Sequence, residues 1–358
     1  MGLIPRWHIS FNITALRLLS FNLDHHWALQ TLREIGPTDR AGSLEADQTD
    51  QSSYPTERER ASSSRELTVY RSVGAYLAYV LYTPLYIAGP IITFNNFQYQ
   101  TRRPPVIPRR TIWSYALRFV IAFLSMELIL HWIYVVALKD SKAWRGLGPG
   151  ELVTLGFWNL IIVWLKLLIP WRFFRLWALL DGIDPPENMV RCMANNYSCA
   201  GFWRSWHRSY NLWIVRYIYV PLGGKNRPVR ATLIVFTFVA LWHDLSFTLL
   251  TWGWLVSLVV IPELVAGRVL PSSLYGETRW YRHLKALGGV LNILTMTSAN
   301  LLGFVLGPSG IQELLFGIRQ SSSGLGAGLA GLAGVFAAVQ LMMEYRQEER
   351  RRGIWRKY

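Results

Sequence analysis

Long apolar runs, separated by short basic or polar segments, fill most of the chain after residue 70. The uninterrupted runs lie at about 112–138, 151–170, 229–262, 286–307 and 323–343. Because an α-helix needs roughly 20 apolar residues to cross the hydrocarbon core of a bilayer, each run is long enough to enter a membrane. With the broken run described next, they predict roughly six or seven membrane-embedded elements, almost entirely helical. The predicted fold class is all-α, a polytopic helical membrane protein.

The first apolar run, at 76–97, is interrupted along its length. Pro84, Gly89 and Pro90 break it, and Asn95 and Asn96 end it. Proline and glycine inside a membrane segment free backbone groups that the lipid cannot satisfy. The run therefore predicts a broken or re-entrant helix that lines a protein-bounded cavity.

The run from Val229 to Pro262 is too long for one upright helix. At 1.5 Å per residue it covers about 50 Å, against a hydrocarbon thickness of about 30 Å. It predicts either two helices joined near His243 and Asp244 or one strongly tilted element. The helical distance from Arg230 to His243 is about 20 Å, so His243 is expected near mid-membrane if Arg230 marks the interface.

Residues 1–70 form a mixed, largely polar lead. Segment 11–29 predicts a short amphipathic helix, whereas segment 43–66, rich in Ser, Gln and Glu, predicts a solvated and flexible loop. The predicted domains are this partly disordered lead, a membrane domain at 71–345 and a basic C-terminal tail at 346–358.

Composition and charge support the membrane interpretation. The chain is 51% hydrophobic and only 16% charged, and its net charge of +15 comes from basic segments that adjoin the apolar runs. This placement indicates cytosolic orientation signals and disfavours nucleic-acid binding. Cys192 and Cys199 lack the spacing of zinc ligands, so no metal site is predicted; palmitoylation is the alternative to two unremarkable thiols.

The candidate catalytic residues lie in a part of the chain that contains no Asp or Glu. Residues 188–243 contain seven Lys or Arg, many aromatic residues and no acid. Two histidines, His207 and His243, lie in this part of the chain. An ionisable group at membrane depth costs roughly 2.5 kcal/mol or more, which favours a functional role for His243. A neutral imidazole can deprotonate a hydroxyl, and an interhelical hydrogen bond is the structural alternative.

Two motifs resemble the signature of the membrane-bound O-acyltransferase family. They are FWRSWHRSYNLWIVRYIYVPLGG at 202–224 and ALWHDLSFTLLTWGWL at 240–255. Together with YTPLYIAGPIITFNNF at 82–97, they most resemble the fungal glycerol-uptake branch, which is related to the Hedgehog acyltransferases. The resemblance covers about residues 70 to 310. It implies a helical bundle with tilted and re-entrant helices around an acyl tunnel.

The resemblance also implies roles for individual residues. His243 would be the catalytic base and His207 the second catalytic residue, which holds or polarises the thioester. Trp206 and Trp242, each beside one of these histidines, are substrate-binding candidates. The implied donor is acyl-CoA, a co-substrate, with no further cofactor. The implied acceptor is a lipid hydroxyl, most specifically the sn-2 position of a lyso-glycosylphosphatidylinositol anchor, in the endoplasmic reticulum membrane.

Further polar residues are candidates for substrate binding. Asn211 lies four residues beyond His207, which predicts a shared helix face if one helix contains both; a hydrogen bond at the membrane interface is the alternative. Glu127 and His131 are predicted to share a face, as a structural pair or as tunnel lining. Phosphate groups of CoA are the predicted ligands of six cations, with a positive-inside loop as the alternative: Arg204, Arg208, Arg216, Lys225, Arg227 and Arg230.

Two other functions remain open from the sequence. Helices broken at proline and glycine with an embedded histidine also suit a transporter of glycerol or another solute. Protein acylation, or its regulation, is the second alternative. Members of the family usually carry further hydrophobic spans before the segment 82–97, so we also expect this chain to lack the first of them.

Overall fold

The computed structural model describes residues 7–34, 54–243, 247–320 and 322–354. Across these ranges the regular structure is helical, and the β pairing found there is an isolated antiparallel bridge between Met189 and Trp206. This confirms the predicted all-α class. Much of the predicted polar loop at 43–66 lies outside the described residues, and its remaining part contains the helix Glu57–Ser62.

Several described helices are long and apolar enough to cross a membrane: Arg109–Trp132, Pro149–Leu180, Arg279–Gly303 and Gly324–Arg351. The chain is therefore a multi-pass membrane protein. The predicted end of the first span at 138 is wrong, because a separate short helix, Val135–Asp140, follows the break after Trp132. The predicted end of the second at 170 is also wrong. A proline removes one backbone hydrogen bond, and the long helix continues through Pro170.

One compact unit comprises Met1–Ile121, Ile169–Asn188 and Ser209–Pro221. Its core is aromatic: Tyr70, Tyr79, Phe94 and Phe97 are buried. The rings of Tyr79 and Phe94 meet edge to face with their centroids 5.3 Å apart. The helices that lie wholly in this unit are Trp7–Glu34, Glu57–Ser62, Leu67–Tyr70, Val73–Val80, Thr83–Ile87 and Phe94–Arg102, with the π-helix Val215–Tyr219.

The first helix, Trp7–Glu34, is longer than the segment predicted at 11–29, and it packs into this unit. Its buried face includes Arg17, Ser20 and Asp24. Arg17 donates from Nη1 to the carbonyl oxygens of Tyr79 and Val80 at 3.0 and 2.7 Å. These carbonyls end the helix Val73–Val80, so the cation satisfies acceptors at the negative end of that helix. The predicted domain boundaries at 70 and 345 stay predictions.

The run predicted as a broken helix is broken. Three separate helices, Val73–Val80, Thr83–Ile87 and Phe94–Arg102, replace a single span. Pro84 lies in the first turn of the middle helix, where its missing N–H needs no partner. The prediction that Asn95 and Asn96 end the run is wrong, because both residues lie buried inside the third helix.

The second unit comprises Ala122–Leu168, Met189–Arg208 and Leu222–Tyr358. One of its cores joins Leu155 and Ile162 to Leu301 and Leu306. Another core surrounds Cys199, Phe236 and Val256. The α-helices that lie wholly in this unit are Val135–Asp140, Cys199–Ser205, Pro228–His243, Phe247–Val269, Ser272–Tyr275, Arg279–Asn300, Gly307–Gln320 and Ser322–Arg351, together with the 3₁₀-helix Gly224–Asn226 and the π-helix Leu301–Val305.

Two helices form the long apolar run at 229–262, which confirms the first of the two predicted alternatives. They are Pro228–His243 and Phe247–Val269; the connecting residues 244–246 lie outside the described residues. A Cβ atom on Gly253 would lie 3.0 Å from the carbonyl oxygen of Phe236 and 3.2 Å from Cβ of Ala240. The missing side chain of Gly253 therefore allows a close hairpin, whose first helix ends at His243.

Candidate active site

His243 is the last residue of the first hairpin helix, Pro228–His243. Its side chain is exposed on the protein. The protein itself does not cover this imidazole, because the side chain lies at a helix end instead of inside the helix packing. The position of His243 near mid-membrane stays a prediction. Exposure leaves the ring accessible, as a base that must reach a substrate requires.

His207 lies in a short link between two helices. Helix Cys199–Ser205 ends just before it, and helix Arg208–Ile214 begins just after it. Its φ is 46°, in the left-handed region that non-glycine residues rarely adopt. Such conformations cost about 1–3 kcal/mol and cluster at functional sites. The backbone at His207 is thus held by its surroundings in a strained conformation.

The fold brings the two histidines together around Trp242. The ring centroid of His207 lies 6.4 Å from that of Trp242. The ring of Trp242 is in turn 4.9 Å from the imidazole of His243, in an edge-to-face arrangement. Residues from two distant parts of the sequence therefore form one group of two imidazoles and an indole.

Electrostatics keep His207 neutral. Burial is the main cause that lowers its pKa to about 3, and the charge of nearby His243 is the second cause of the same shift. A neutral imidazole carries one N–H donor and one free acceptor nitrogen. His207 can therefore donate a hydrogen bond across the whole physiological pH range without carrying charge.

Aromatic packing joins the segment of His207 to the helix of His243. The ring of Trp203 meets that of Phe236, on helix Pro228–His243, edge to face at 5.7 Å. Trp206 stacks on Phe202 with centroids 5.4 Å apart. On the other side of the segment, the N–H of Val190 donates to the carbonyl oxygen of Ser205 at 3.3 Å. These contacts fix the approach of the chain to His207.

The other predicted substrate-binding residues differ in their surroundings. Trp206, Trp242 and Arg208 are half-buried, and Arg204 is exposed. Asn211 is half-buried on helix Arg208–Ile214. Because this helix begins at Arg208 and His207 is left-handed, the argument that His207 and Asn211 share a helix face is wrong. Their roles in binding stay predictions.

Arg216 was predicted to bind a phosphate of CoA, but it forms an ion pair within the protein. Its Nη2 donates to Oδ1 of Asp24 at 2.6 Å, and its guanidinium lies over the rings of Trp27 and Tyr217. The side chain of Asp24 is fully buried, so this charge has a structural partner. By contrast, Lys225, Arg227 and Arg230 are exposed, like Arg204.

The pair predicted on the first long span makes a local contact. Nδ1 of His131 lies 2.7 Å from the backbone carbonyl oxygen of Glu127, one helical turn earlier. The contact is exposed and involves the backbone of Glu127, so both alternatives for this pair stay predictions.

Sequence reasoning missed a carboxylate that binds the start of the helix preceding His207. Glu263 is the sole acid of helix Phe247–Val269, and it receives hydrogen bonds from Ser198, Ala200 and Asn292. A lone acid directly after Pro262 in an apolar run was the available signal. The partner residues are too distant along the chain for spacing to identify them.

Fold and site together define a class: multi-pass helical membrane proteins with a histidine pair carried by tryptophan-histidine motifs. A family model described as MBOAT, membrane-bound O-acyltransferase family, matches residues 4–307. The chain belongs to the membrane-bound O-acyltransferase family.

Individual relatives agree with this membership. Over 357 residues the chain is 49% identical to membrane-bound O-acyltransferase GUP1 of Saccharomyces cerevisiae, covering 99% of this chain and 62% of that protein. It is 43% identical over 355 residues to gup1 of Schizosaccharomyces pombe, with 99% and 60% covered. Protein-cysteine N-palmitoyltransferase HHAT of Mus musculus is 30% identical over 217 residues, which cover 58% of this chain and 43% of that protein. The chain thus spans less than two thirds of the length of these curated relatives.

Proposed function

We propose that this protein transfers a long-chain acyl group from acyl-CoA to a lipid hydroxyl. The observation that carries the proposal is the approach of His207 and His243 around Trp242, at centroid distances of 6.4 and 4.9 Å. Membership of the membrane-bound O-acyltransferase family supports the same chemistry.

His243 acts as the general base in this proposal. Its imidazole takes the proton from the acceptor hydroxyl while the hydroxyl oxygen attacks the thioester carbonyl carbon. The carbon–sulfur bond then breaks, and the leaving thiolate of CoA recovers the proton from the imidazolium. General-base catalysis of this kind contributes about 10²- to 10⁴-fold in rate.

His207 stabilises the carbonyl oxygen as negative charge develops on it. A neutral imidazole suits this role, because it donates a hydrogen bond without competing for the proton that His243 must accept. The low pKa of His207, about 3, supports that assignment. The strained backbone at φ 46° supports a position set for function.

Exposed cations are the proposed contacts for the phosphates of CoA. Arg204, Lys225, Arg227 and Arg230 are exposed on the same unit as the two histidines. Guanidinium groups bind phosphate oxygens in pairs of charge-assisted hydrogen bonds. Arg216 is left out, because Asp24 holds it.

The proposed acceptor is the free sn-2 hydroxyl of a lyso-glycosylphosphatidylinositol anchor, in the endoplasmic reticulum membrane. The similarity to GUP1 proteins over 99% of the chain supports an O-acyl acceptor. Similarity to a relative named protein-cysteine N-palmitoyltransferase favours a second candidate, an N-terminal cysteine of a protein. That similarity covers 58% of the chain, so the lipid hydroxyl is the better supported acceptor.

Transfer of radiolabelled palmitate from palmitoyl-CoA tests the proposal. The protein is reconstituted in liposomes with lyso-anchor lipid or with a peptide that begins with cysteine. We expect label in the lipid with the wild type and a loss of at least about 10²-fold with His243→Ala. His283→Ala is the matched control, because His283 is an exposed histidine of the same unit outside the site.

The results separate the alternatives. Label in the peptide alone would show that the acceptor is a protein cysteine and not the lipid hydroxyl. Equal transfer by wild type and His243→Ala would contradict the role of His243. If the folded wild type labels neither acceptor but carries glycerol across the liposome membrane, the protein is a transporter and the proposed acyl transfer is wrong.

A further inference from the structure

Glu263 has no role in the proposed chemistry, yet its carboxylate lies on a largely apolar helix and binds groups from two other segments. The helix Phe247–Val269 forms the second half of the hairpin that carries His243. Glu263 is half-buried on it, and a half-buried carboxylate in such surroundings requires hydrogen-bond donors. The donors that contact this carboxylate therefore indicate which segments it positions.

Three donors from two other segments converge on this carboxylate. The hydroxyl of Ser198 donates to Oε1. The backbone N–H of Ala200 donates to Oε2 at 3.1 Å, and Nδ2 of Asn292 donates to the same oxygen at 3.3 Å. Nδ2 of Asn292 also lies 3.3 Å from the carbonyl oxygen of Tyr197, so the chain is held just before the helix as well.

The residues bound by Glu263 begin the helix that leads to His207. Ser198 is the N-cap of helix Cys199–Ser205, and its hydroxyl oxygen accepts from the N–H of Gly201 at 2.8 Å. This short helix is about 10 Å long, and the N–H of Trp206 still donates to the carbonyl oxygen of Phe202 at 2.8 Å. Fixing the first turn of this short helix therefore constrains its C-cap, Trp206, and with it His207, the next residue.

Nearer its start, the helix of Glu263 packs against the helix that ends at His243. Gly253 packs against Phe236 and Ala240, and Nε1 of Trp254 donates to Oγ1 of Thr237 at 3.1 Å. These partners lie on helix Pro228–His243. One continuous helix therefore contacts both the helix that ends at His243 and the segment that leads to His207.

We propose that Glu263 is a positioning residue that sets His207 relative to His243, acting through Ser198 and helix Cys199–Ser205. The expected effect on catalysis rests on the proposed function. The structural part of the inference, the placement of this helix, stands independently of any reaction.

The first test measures acyl transfer by Glu263→Gln, which keeps the size of the side chain and replaces one acceptor oxygen by a donor. We expect kcat to fall by about tenfold to a hundredfold with little change in KM for acyl-CoA, since misplacement by about 1 Å can cost this much. Ser198→Ala should show a smaller loss of the same kind, and Ser198→Thr should restore activity because it keeps the hydroxyl. Glu277→Gln, at an exposed acid of the same unit, is the matched control.

The second test needs no activity. Trp203→Cys and Phe236→Cys, in a background with Cys192→Ala and Cys199→Ala, are linked by a short bifunctional thiol reagent, since these two rings now lie 5.7 Å apart. We expect Glu263→Gln to reduce cross-linking, and Glu277→Gln to leave it unchanged. If Glu263→Gln does not accumulate in membranes, Ser198→Ala is compared with Ser198→Thr in the same assay.

The outcomes distinguish the two proposals. Unchanged cross-linking with Glu263→Gln would overturn the positioning role, whatever the activity. Reduced cross-linking with full activity would overturn its link to catalysis. If wild type transfers no acyl group and cross-linking still falls, the proposed function fails, and the structural role of Glu263 is supported.

Discussion

The buried ion pair between Arg191 and Glu349 gives a prediction whose size follows from its geometry. Nη1 and Nη2 of Arg191 lie 3.2 and 2.6 Å from Oε1 and Oε2 of Glu349, and the side chains are only 5% and 6% exposed. Arg191 lies two residues after Met189, which pairs with Trp206. The ion pair thus ties the last helix, Ser322–Arg351, to the segment beside His207.

Removing one partner should be costly, and removing both should cost little. Arg191→Met leaves a buried carboxylate without its guanidinium, so we expect the free energy of unfolding to fall by about 3–5 kcal/mol. Combining it with Glu349→Leu replaces the pair by apolar side chains and should recover most of that loss. The control is Arg352→Met, which removes an exposed partner of Glu348 at 2.7 Å and should cost less than about 1 kcal/mol.

A double-mutant cycle measures these values by reversible unfolding in mixed detergent micelles. The coupling energy between Arg191 and Glu349 is the quantity of interest. A loss for Arg191→Met no larger than that of Arg352→Met would refute the reasoning. So would a double variant as unstable as the sum of the two single variants, because burial would then contribute nothing to the cost.

Two further predictions follow from the site and the hairpin. The pKa of His207 is lowered from 6.5 to about 3, so the unfolded chain binds this proton first on acidification. Stability should therefore fall as the pH drops from 6.5 towards 3, by up to about 1.4 kcal/mol per pH unit, and His207→Asn should remove this slope; an identical slope would contradict it. Gly253→Ala should loosen the hairpin and reduce acyl transfer, whereas Gly267→Ala, with open space at its Cβ, should stabilise the same helix by about 0.5–1 kcal/mol. Thermal unfolding and transfer assays that rank these two variants equally would refute the packing argument.

Periodicity and length predicted those parts of the fold that depend on local sequence. The all-α class, the break around Pro84 and the division of the run at 229–262 all follow from apolar length and helix-breaking residues. The ends of helices were less predictable. Helix Pro149–Leu180 continues past Pro170, because the rest of a long helix can absorb one lost backbone bond.

Contacts between distant segments account for what the sequence could not predict. Arg216 resembles a phosphate ligand in sequence, but Asp24 of the first helix neutralises it. The shared face of His207 and Asn211 assumed one continuous helix, whereas the chain is left-handed at His207. Glu263 is an isolated acid until the fold brings Ser198 and Asn292 to it.

The strain at His207 explains why the site depends on the whole unit. A left-handed conformation costs a histidine about 1–3 kcal/mol, so it persists only where surrounding contacts determine the backbone on both sides. Before His207, Ser198, the N-cap of helix Cys199–Ser205, donates to Glu263, and Trp206 pairs with Met189. After it, a new helix begins at once at Arg208. Since Glu263 and Met189 lie far from the tryptophan-histidine motif in sequence, the motif can indicate the chemistry, but the geometry of the two imidazoles must come from tertiary structure.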